Sequence, residues 1–485
     1  MPEGSPLTEP PQGAPGLTAE GLRDDLLAGR RLASTVIEEF LARAEYVQQA
    51  VNAFTLIDHT GARARAVESD ARIRSGQPRP LEGLPFAVKD LTPVEGYPHT
   101  MGSLAMRDVV ARVTDPAVQA LIDAGAIPFA RTNTAEFGCA TVTDNLLYGE
   151  TTNPWNTDFG AAGSSGGAAA ALAAFATPLA QGTDSAGSLR MPAAACGVVG
   201  MKPSYGVVPV VAPAYLDSFG HNGPMARNVS DVRLMFEVMR GLDRSHAFGY
   251  ETRQTKPVTS MAGLRVRVMT GMEGLNVDAD VAANLATACR VLADAGADVQ
   301  EVPFPWDFER LFAAVKNAFA TTYMPLAKAA RDSGADVTDL TRAFIESVLP
   351  VTKDGLHAVR AQAEMAELHA SLAVHFTQAD VLALPTLAMP APIAHEHFID
   401  RGPMVNGVEH ADRWIVAFTV PFNLMSACPA ISVPSGMAVS GIPTGLQLVG
   451  RPYEDDALLD IAQLAESALI AAGLTPSPAT AEGSS

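Results

Sequence analysis

Apolar residues in this chain fall into two kinds of stretch that alternate along most of its length. Some are short unbroken runs with strand character. Others recur every three or four positions, as on the buried face of a helix. "DPAVQALIDAG", Asp115 to Gly125, shows the second kind. Asp115 is suited to cap a helix, Pro116 to its first position and Gly125 to its end. A strand-like "AIPFAR" follows at once. The alternation recurs from Leu264 to Phe304, where "LRVRVMTG", "DADVAANLATACRVLADAG" and "ADVQEVPF" predict one strand, helix, strand unit. Between about Asp307 and Phe376 the spacing is helical throughout, broken at "DSGADVTD" and near Pro350 to Gly355. "ADVLALP", "CPAISVPSG" and "GLQLVG" return to strand character, and "DDALLDIAQLAESALIAAG" is a last helix whose Asp455 and Asp456 are expected to cap it. The pattern predicts an α/β fold.

No Gly/Ser/Pro linker interrupts this pattern, so one large domain is expected over residues 18–475, with a helical substrate wall at about 307–376. "MPEGSPLTEPPQGAPG" and "TPSPATAEGSS" are too rich in Pro, Gly and small polar residues for regular structure, and 1–17 and 476–485 are expected to be disordered tails. The first lacks the basic and apolar regions of a signal peptide. The chain has 485 residues, of which 48% are hydrophobic. That is enough for a large core and argues against general disorder. A formal charge of -19 argues against nucleic acid or anionic membrane surfaces as partners. The four cysteines, Cys139, Cys196, Cys289 and Cys428, are far apart without CxxC spacing, as for buried apolar residues in a reducing cytoplasm.

One stretch raises the question of chemistry: "GAAGSSGGAAAALAAFATPLAQGTDSAGSLRMP", Gly160 to Pro192. It could be a low-complexity linker. However, Ala168 to Ala176 has strong helix-forming composition, Pro178 ends it, and "PLAQGTD" can form a buried strand. A helix of about 11 residues travels roughly 16 Å, and a return strand of about 6 residues roughly 20 Å. The Ser164-Ser165 end and the Ser188 end can therefore meet. A phosphate loop is excluded, because alanines follow Gly166-Gly167 where GxxxxGK[ST] needs lysine. Gly163 to Gly167 formally matches the GxSxG elbow with Ser165 as nucleophile. That motif requires a strand just before it, whereas "NPWNTDFGAA" reads as loop, and none of His221, His357, His369 or His375 has the context of its base. Lys89 ends the apolar run of "GLPFAVKD"; partial desolvation there would lower its pKa and make it a usable base, or it could be an edge lysine paired with Asp90.

The chain also resembles the amidase signature family of serine hydrolases. "LEGLPFAVKD", "RTNTAEF", "TTNPWN", "AGSSGGAAAAL", "GTDSAGSLRMPAAACGVVGMKPSYG", "GPMARNVSD" and "GLQLVG" occur in the family's order, from about Leu81 to the final helix. The resemblance implies a central mixed, twisted sheet flanked by helices on both faces, with the family core at about 81–210. It also implies that Lys89 is the catalytic lysine, Ser164 a bridging serine on a cis peptide, and Ser188 the acylated nucleophile. It implies an oxyanion hole from the backbone N–H groups of Ser185, Ala186, Gly187 and Ser188. Ser165, Asp184 and Arg190 would orient the relay and its loop. Phe137 and Gly138 match a segment lining the acyl pocket in relatives, though a plain core role fits the residues as well. Ala162 and Ala186 stand where the family commonly has glycine, each adding one methyl.

The implied function is hydrolysis of a carbonyl C–N bond in small aryl or aliphatic amides, with esters also accepted. It needs no cofactor or metal, and the "HEH" of His395 to His397 reads as a solvated loop. Carbamates would fit the same mechanism. The family also contains the glutaminase subunit of a tRNA-dependent amidotransferase, which works only with partner chains; the loop "VVPVVAPAYLDSFGHNG" departs from that subunit's pattern. A monomer or homodimer is expected for a free-standing enzyme, and neither a non-catalytic role nor a membrane or nucleic-acid partner is expected.

Overall fold

The structure is a computed structural model that describes residues 7–9, 18–211, 217–241, 248–399, 401–410 and 418–475. The expected C-terminal tail, 476–485, lies outside them, as does most of 1–17. Within the latter, Leu7 is partly buried, and its carbonyl accepts a 2.6 Å hydrogen bond from Arg43.

Eleven strands form one mixed sheet among the described residues. In chain order they are β1 (Phe54–Ile57), β2 (Pro85–Lys89), β3 (Ile127–Thr132), β4 (Leu179–Asp184), β5 (Val199–Lys202), β6 (His221–Ala226), β7 (Arg265–Val268), β8 (Asp298–Glu301), β9 (Val381–Pro385), then β12 (Ala430–Met437) and β13 (Pro443–Val449), after a small hairpin of β10 (Met404–Val405) and β11 (Val408–Glu409). Their spatial order is β1-β3-β2-β4-β6-β5-β12-β13-β9-β7-β8. β2 runs parallel to both β3 and β4, and β7 to both β8 and β9. The remaining pairs are antiparallel.

The short apolar runs become strands covered on both faces. Along β9, Val381 and Ala383 enter one buried apolar cluster while Leu382 and Leu384 enter the other. A strand whose two faces are both buried needs no polar alternation, which is why its sequence reads as continuously apolar. The unit from Leu264 to Phe304 is β7, a helix over Ala279–Asp294, and parallel β8. "DPAVQALIDAG" is a helix over Pro116–Asp123, with the Asp115 carboxylate accepting from the Ala117 N–H. The stretch 307–376 holds four α-helices, Phe308–Phe319, Tyr323–Asp332, Asp339–Val348 and His357–Phe376.

The last helix, Asp455–Ala471, differs from expectation at its start. Asp455 and Asp456 lie in its first turn but do not cap it. The Asp455 carboxylate accepts from the Ser204 N–H and hydroxyl at 2.8 and 2.6 Å, and Asp456 pairs with Arg240 at 2.8 Å. Tertiary partners more than 200 residues away claim both side chains, a competition that no local capping pattern reveals.

Candidate active site

The fold brings the ends of the Gly160 to Pro192 stretch together. Its helix spans Gly166–Ala173 and its return strand is β4. Ser164 and Ser188 line one cavity, and the Ser165 N–H donates to the Ser188 carbonyl at 3.3 Å. Thr143 pins the first turn: its hydroxyl donates to the Ala162 carbonyl at 2.8 Å and accepts from the Gly166 N–H at 2.9 Å. The Gly163-Ser164 peptide is cis. A Cβ on Gly163 would stand 2.8 Å from the backbone carbonyl carbon of Val142, so a side chain has no room there.

Lys89 is the last residue of β2 and Asp184 the last of β4, the parallel neighbour. The site thus lies at the carboxyl ends of parallel strands, where the chain leaves the sheet and a crevice opens. Lys89 is fully buried, and its Nζ is 2.7 Å from Ser164 Oγ, 2.8 Å from Ser165 Oγ and 2.9 Å from Thr183 Oγ1. Burial holds its pKa well below the usual lysine range, opposed only by the more distant Asp184. An edge role with Asp90 is excluded, since Asp90 pairs instead with Arg131 at 3.4 Å. The Ser165 hydroxyl donates to the Thr183 carbonyl at 3.3 Å, so it accepts from the lysine. A neutral amine then has a lone pair left for another hydroxyl hydrogen. Thr183, whose identity carries no local signal, is the residue that the sequence reasoning missed here.

The turn bearing Ser188 is braced from beneath. Arg190, fully buried, donates to both Asp184 carboxylate oxygens at 2.9 Å and also to the Thr419 carbonyl, Gln447 and Asn423 at 3.0, 2.6 and 2.7 Å. Asn423 returns a 2.8 Å bond to Asp184. Burial by itself would raise the Asp184 pKa, but the adjoining Arg190 guanidinium and the Asn423 amide hold it below the ordinary carboxylate range.

This brace corrects one expectation. The Gly187 N–H donates to Asp184 Oδ1 at 2.7 Å, so it faces the brace and not the cavity. Among the described residues no acceptor lies within hydrogen-bond reach of the Ala186 and Ser188 N–H groups, and Ser185, Ala186 and Ser188 all line the cavity. Gly187 has φ +115°, and a Cβ there would sit 1.8 Å from Thr419 Oγ1. Its glycine is required by the backbone path and by Thr419, whose hydroxyl also donates to the Ala186 carbonyl at 2.6 Å.

Leu91, Gly138, Cys139, Ala140, Thr183, Met191, Phe319 and Phe344 complete the inner cavity, while Phe137 lines a larger adjoining recess. Phe319 and Phe344 come from the helical wall. Ser165 is fully buried and follows loop residues, and His357, His369 and His375 lie on one wall helix away from both cavities, which removes the elbow arrangement. His221 lines the adjoining recess, its ring bonded to the Phe219 carbonyl at 2.8 Å. His395 is exposed and pairs with Glu150 at 3.0 Å. Among the described residues no group of three or more His, Cys, Asp or Glu side chains could hold a metal.

Residues 35–459 match the family described as Amidase. The chain belongs to the amidase signature family. It is 33% identical over 436 residues to the acylamidase of Rhodococcus erythropolis, covering 87% of this chain and 89% of that protein. It is 32% identical over 476 residues to a glutamyl-tRNA(Gln) amidotransferase subunit of Desulforapulum autotrophicum, covering 91% and 95%. Among solved structures, a bacterial aryl acylamidase of the amidase signature family superposes with TM-score 0.84 at 27% identity, covering 93% of this chain and 96% of the other. A 6-aminohexanoate cyclic dimer hydrolase complexed with substrate gives TM-score 0.80 at 27% identity, covering 95% and 98%. Amidase signature enzymes are hydrolases acting on C–N bonds, and the single α/β domain with its large mixed sheet is their fold. No helix among the described residues is long and apolar enough to cross a membrane.

Proposed function

We propose that this protein hydrolyses the carbonyl C–N bond of small amides through an acyl-enzyme on Ser188, without a cofactor. The observation that carries this reading is the buried Lys89 amine, depressed in pKa and 2.7 Å from Ser164, which shares its cavity with Ser188. In this reading Ser188 Oγ attacks the carbonyl carbon as its proton passes to Ser164, whose own proton passes to Lys89. The oxyanion forms against the Ala186 and Ser188 N–H groups, with Ser185 beside them. The relay then protonates the amine nitrogen, the C–N bond breaks, and the amine leaves. Water, losing a proton to the same relay, cleaves the Ser188 ester and restores the enzyme.

The inner cavity offers Leu91, Cys139, Met191, Phe319 and Phe344 to the acyl group and no charged side chain among the described residues. This favours aryl or aliphatic acyl groups, and the same electrophile in an ester or carbamate would meet the same donors. A glutaminase subunit is the second reading, supported by the 32% identity to the Desulforapulum autotrophicum amidotransferase chain. Free glutamine carries an ammonium and a carboxylate, both of which need charged partners, and the apolar cavity supports the free-standing amidase instead. Four cysteines without a disulfide support a cytoplasmic enzyme, and no partner chain is needed for the chemistry.

The test is a panel of anilides, aliphatic amides, esters, aryl carbamates and glutamine, given to the purified chain. Ser188→Ala and Lys89→Ala serve as controls, and intact mass is measured after rapid quenching. Turnover of apolar amides with acyl mass on Ser188 is expected. Loss of activity in Ser165→Ala with retention in Ser188→Ala would overturn the assignment. Turnover of glutamine alone, and only with added partner subunits, would favour the second reading.

A further inference from the structure

Phe319 ends the helix over Phe308–Phe319 and Phe344 lies within the helix over Asp339–Val348, and both rings line the inner cavity. Their centroids are 5.7 Å apart and their planes are tilted by 53°. Among these rings, Leu91, Met191 and the two serines, Ser164 and Ser188, the cavity keeps a volume of about 20 Å³, room for about one water molecule. In the acyl-enzyme the carbonyl oxygen takes the Ala186 and Ser188 N–H groups, so the group beyond the carbonyl carbon is what must fit this space. A methyl group, similar in size to water, meets that limit, and each further carbon has to displace packed lining atoms.

The lining is not free to retreat. Phe319 and Phe344 are 6% and 1% exposed and belong to one buried apolar cluster with Phe312, Val315, Ile345 and Val348. Neither ring can swing aside without opening packed core. The helix that carries Phe344 is also tied to the segment that supplies Gly138, Cys139 and Ala140 to the cavity. Glu136, itself buried, accepts the Thr338 N–H at 2.8 Å; Thr338 is the N-cap of that helix, and its hydroxyl accepts from the Thr341 N–H at 3.1 Å. A carboxylate at a helix N-terminus gains from the helix dipole as well as from the bond. Two parts of the lining that are distant in sequence are thereby held at a fixed spacing.

We infer that this enzyme selects acyl groups by size, taking acetyl best and losing efficiency with each added carbon, and that Phe319 and Phe344 set the limit. This rests on the amidase reading and narrows its apolar acyl class to the smallest members; benzoyl and longer aliphatic chains fall outside it. The selection acts on acylation of Ser188, because the carbonyl carbon reaches Oγ in a productive geometry only if the group attached to it also enters the cavity. An open apolar site would do the opposite, gaining about fourfold per added methylene as each one leaves water.

The test is a series of 4-nitroanilides carrying acetyl, propanoyl, butanoyl, hexanoyl and benzoyl groups. Each kcat/KM is divided by the rate of hydroxide-catalysed hydrolysis of the same compound, which removes intrinsic reactivity. A fall of about a hundredfold from acetyl to hexanoyl is expected. Phe319→Leu and Phe344→Leu should each shrink that ratio by about tenfold, with circular dichroism as the check on folding. Ala140→Val, which fills the cavity without loosening its wall, should depress propanoyl relative to acetyl. Equal or rising values from acetyl to hexanoyl, or a ratio that none of the three variants changes, overturn the inference and leave the amidase function standing. If no anilide is turned over, the amidase reading fails. Binding of the same series to the wild-type protein, followed by ligand-detected NMR, then decides the size limit, and affinity that does not fall with acyl length overturns it.

Discussion

Replacing Arg190 with methionine removes the guanidinium that braces the Ser188 turn while nearly preserving the volume of its aliphatic stem. Asp184 stays behind, fully buried, with its paired cation gone. Breaking a buried pair from one side typically costs about 3 to 5 kcal/mol, because the remaining charge is uncompensated. Three further acceptors, Gln447 Oε1, Asn423 Oδ1 and the Thr419 carbonyl, lose their donor as well. Against this, the Gly187 and Leu189 N–H groups and the Asn423 amide still reach the carboxylate, at 2.7, 3.2 and 2.8 Å. A net loss of about 4 kcal/mol at neutral pH is expected from these opposing effects. The pH dependence gives a second, independent reading. In the wild type the depressed folded pKa of Asp184 contributes stability above the ordinary carboxylate range, lost as pH falls through the folded value. In Arg190→Met burial dominates and raises that pKa, so the lone carboxylate opposes folding at neutral pH and protonation relieves it. The gap between the two proteins, read from urea unfolding between neutral and mildly acidic pH, should therefore narrow as pH falls. Adding Asp184→Asn to Arg190→Met should recover part of the loss. A gap below about 1 kcal/mol at neutral pH, or one that widens in acid, would refute the argument.

Three other outcomes follow from the geometry. Because Lys89 must be neutral to accept a proton in the proposed relay and its pKa is depressed by burial, kcat/KM should fall as pH drops through that lowered value, and Lys89→Ala should lose about 10² to 10⁴ of kcat above it, the deficit narrowing below; a flat profile in the wild type would count against it. Gly187→Ala should abolish turnover, since the new Cβ would overlap Thr419 Oγ1, and steady-state assay with circular dichroism separates loss of activity from loss of fold. With a disulfide reagent that absorbs on reaction, the native protein should titrate at most one thiol, the partly buried Cys289, and the denatured protein four; burial encloses Cys139, Cys196 and Cys428 and raises their pKa values.

The parts of this molecule that could be read from its sequence are those set by neighbours in the chain. The helix and return strand between Gly166 and Asp184 follow from alanine propensity, Pro178 and a run of strand-like residues, and their similar lengths foretell that Ser164 and Ser188 share a cavity. Lys89 stands out because a cation at the end of an apolar run needs an explanation. Family motifs then indicated roles that spacing alone left open. What escaped has long-range causes. Thr183 looks like any strand threonine until β2 and β4 pair and put it beside Lys89. The commitment of the Gly187 N–H follows from where Asp184 is held, and Asp184 is held by Arg190, which is itself fixed by Thr419, Asn423 and Gln447 more than 200 residues away. Asp455 and Asp456 have the pattern of caps yet serve as tertiary ties, and only the packing of Ser204 and Arg240 against them makes the difference.

The brace under the Ser188 turn also bears on how the protein is made. Thr419, Asn423 and Gln447 lie in the last seventh of the chain, and β12 and β13 enter the middle of the sheet, between β5 and β9. A growing chain carries Lys89, Ser164 and Ser188 long before it carries the residues that hold them in register. On the ribosome Ser188 is therefore made well before its brace, which can form only once Thr419, Asn423 and Gln447 have been added.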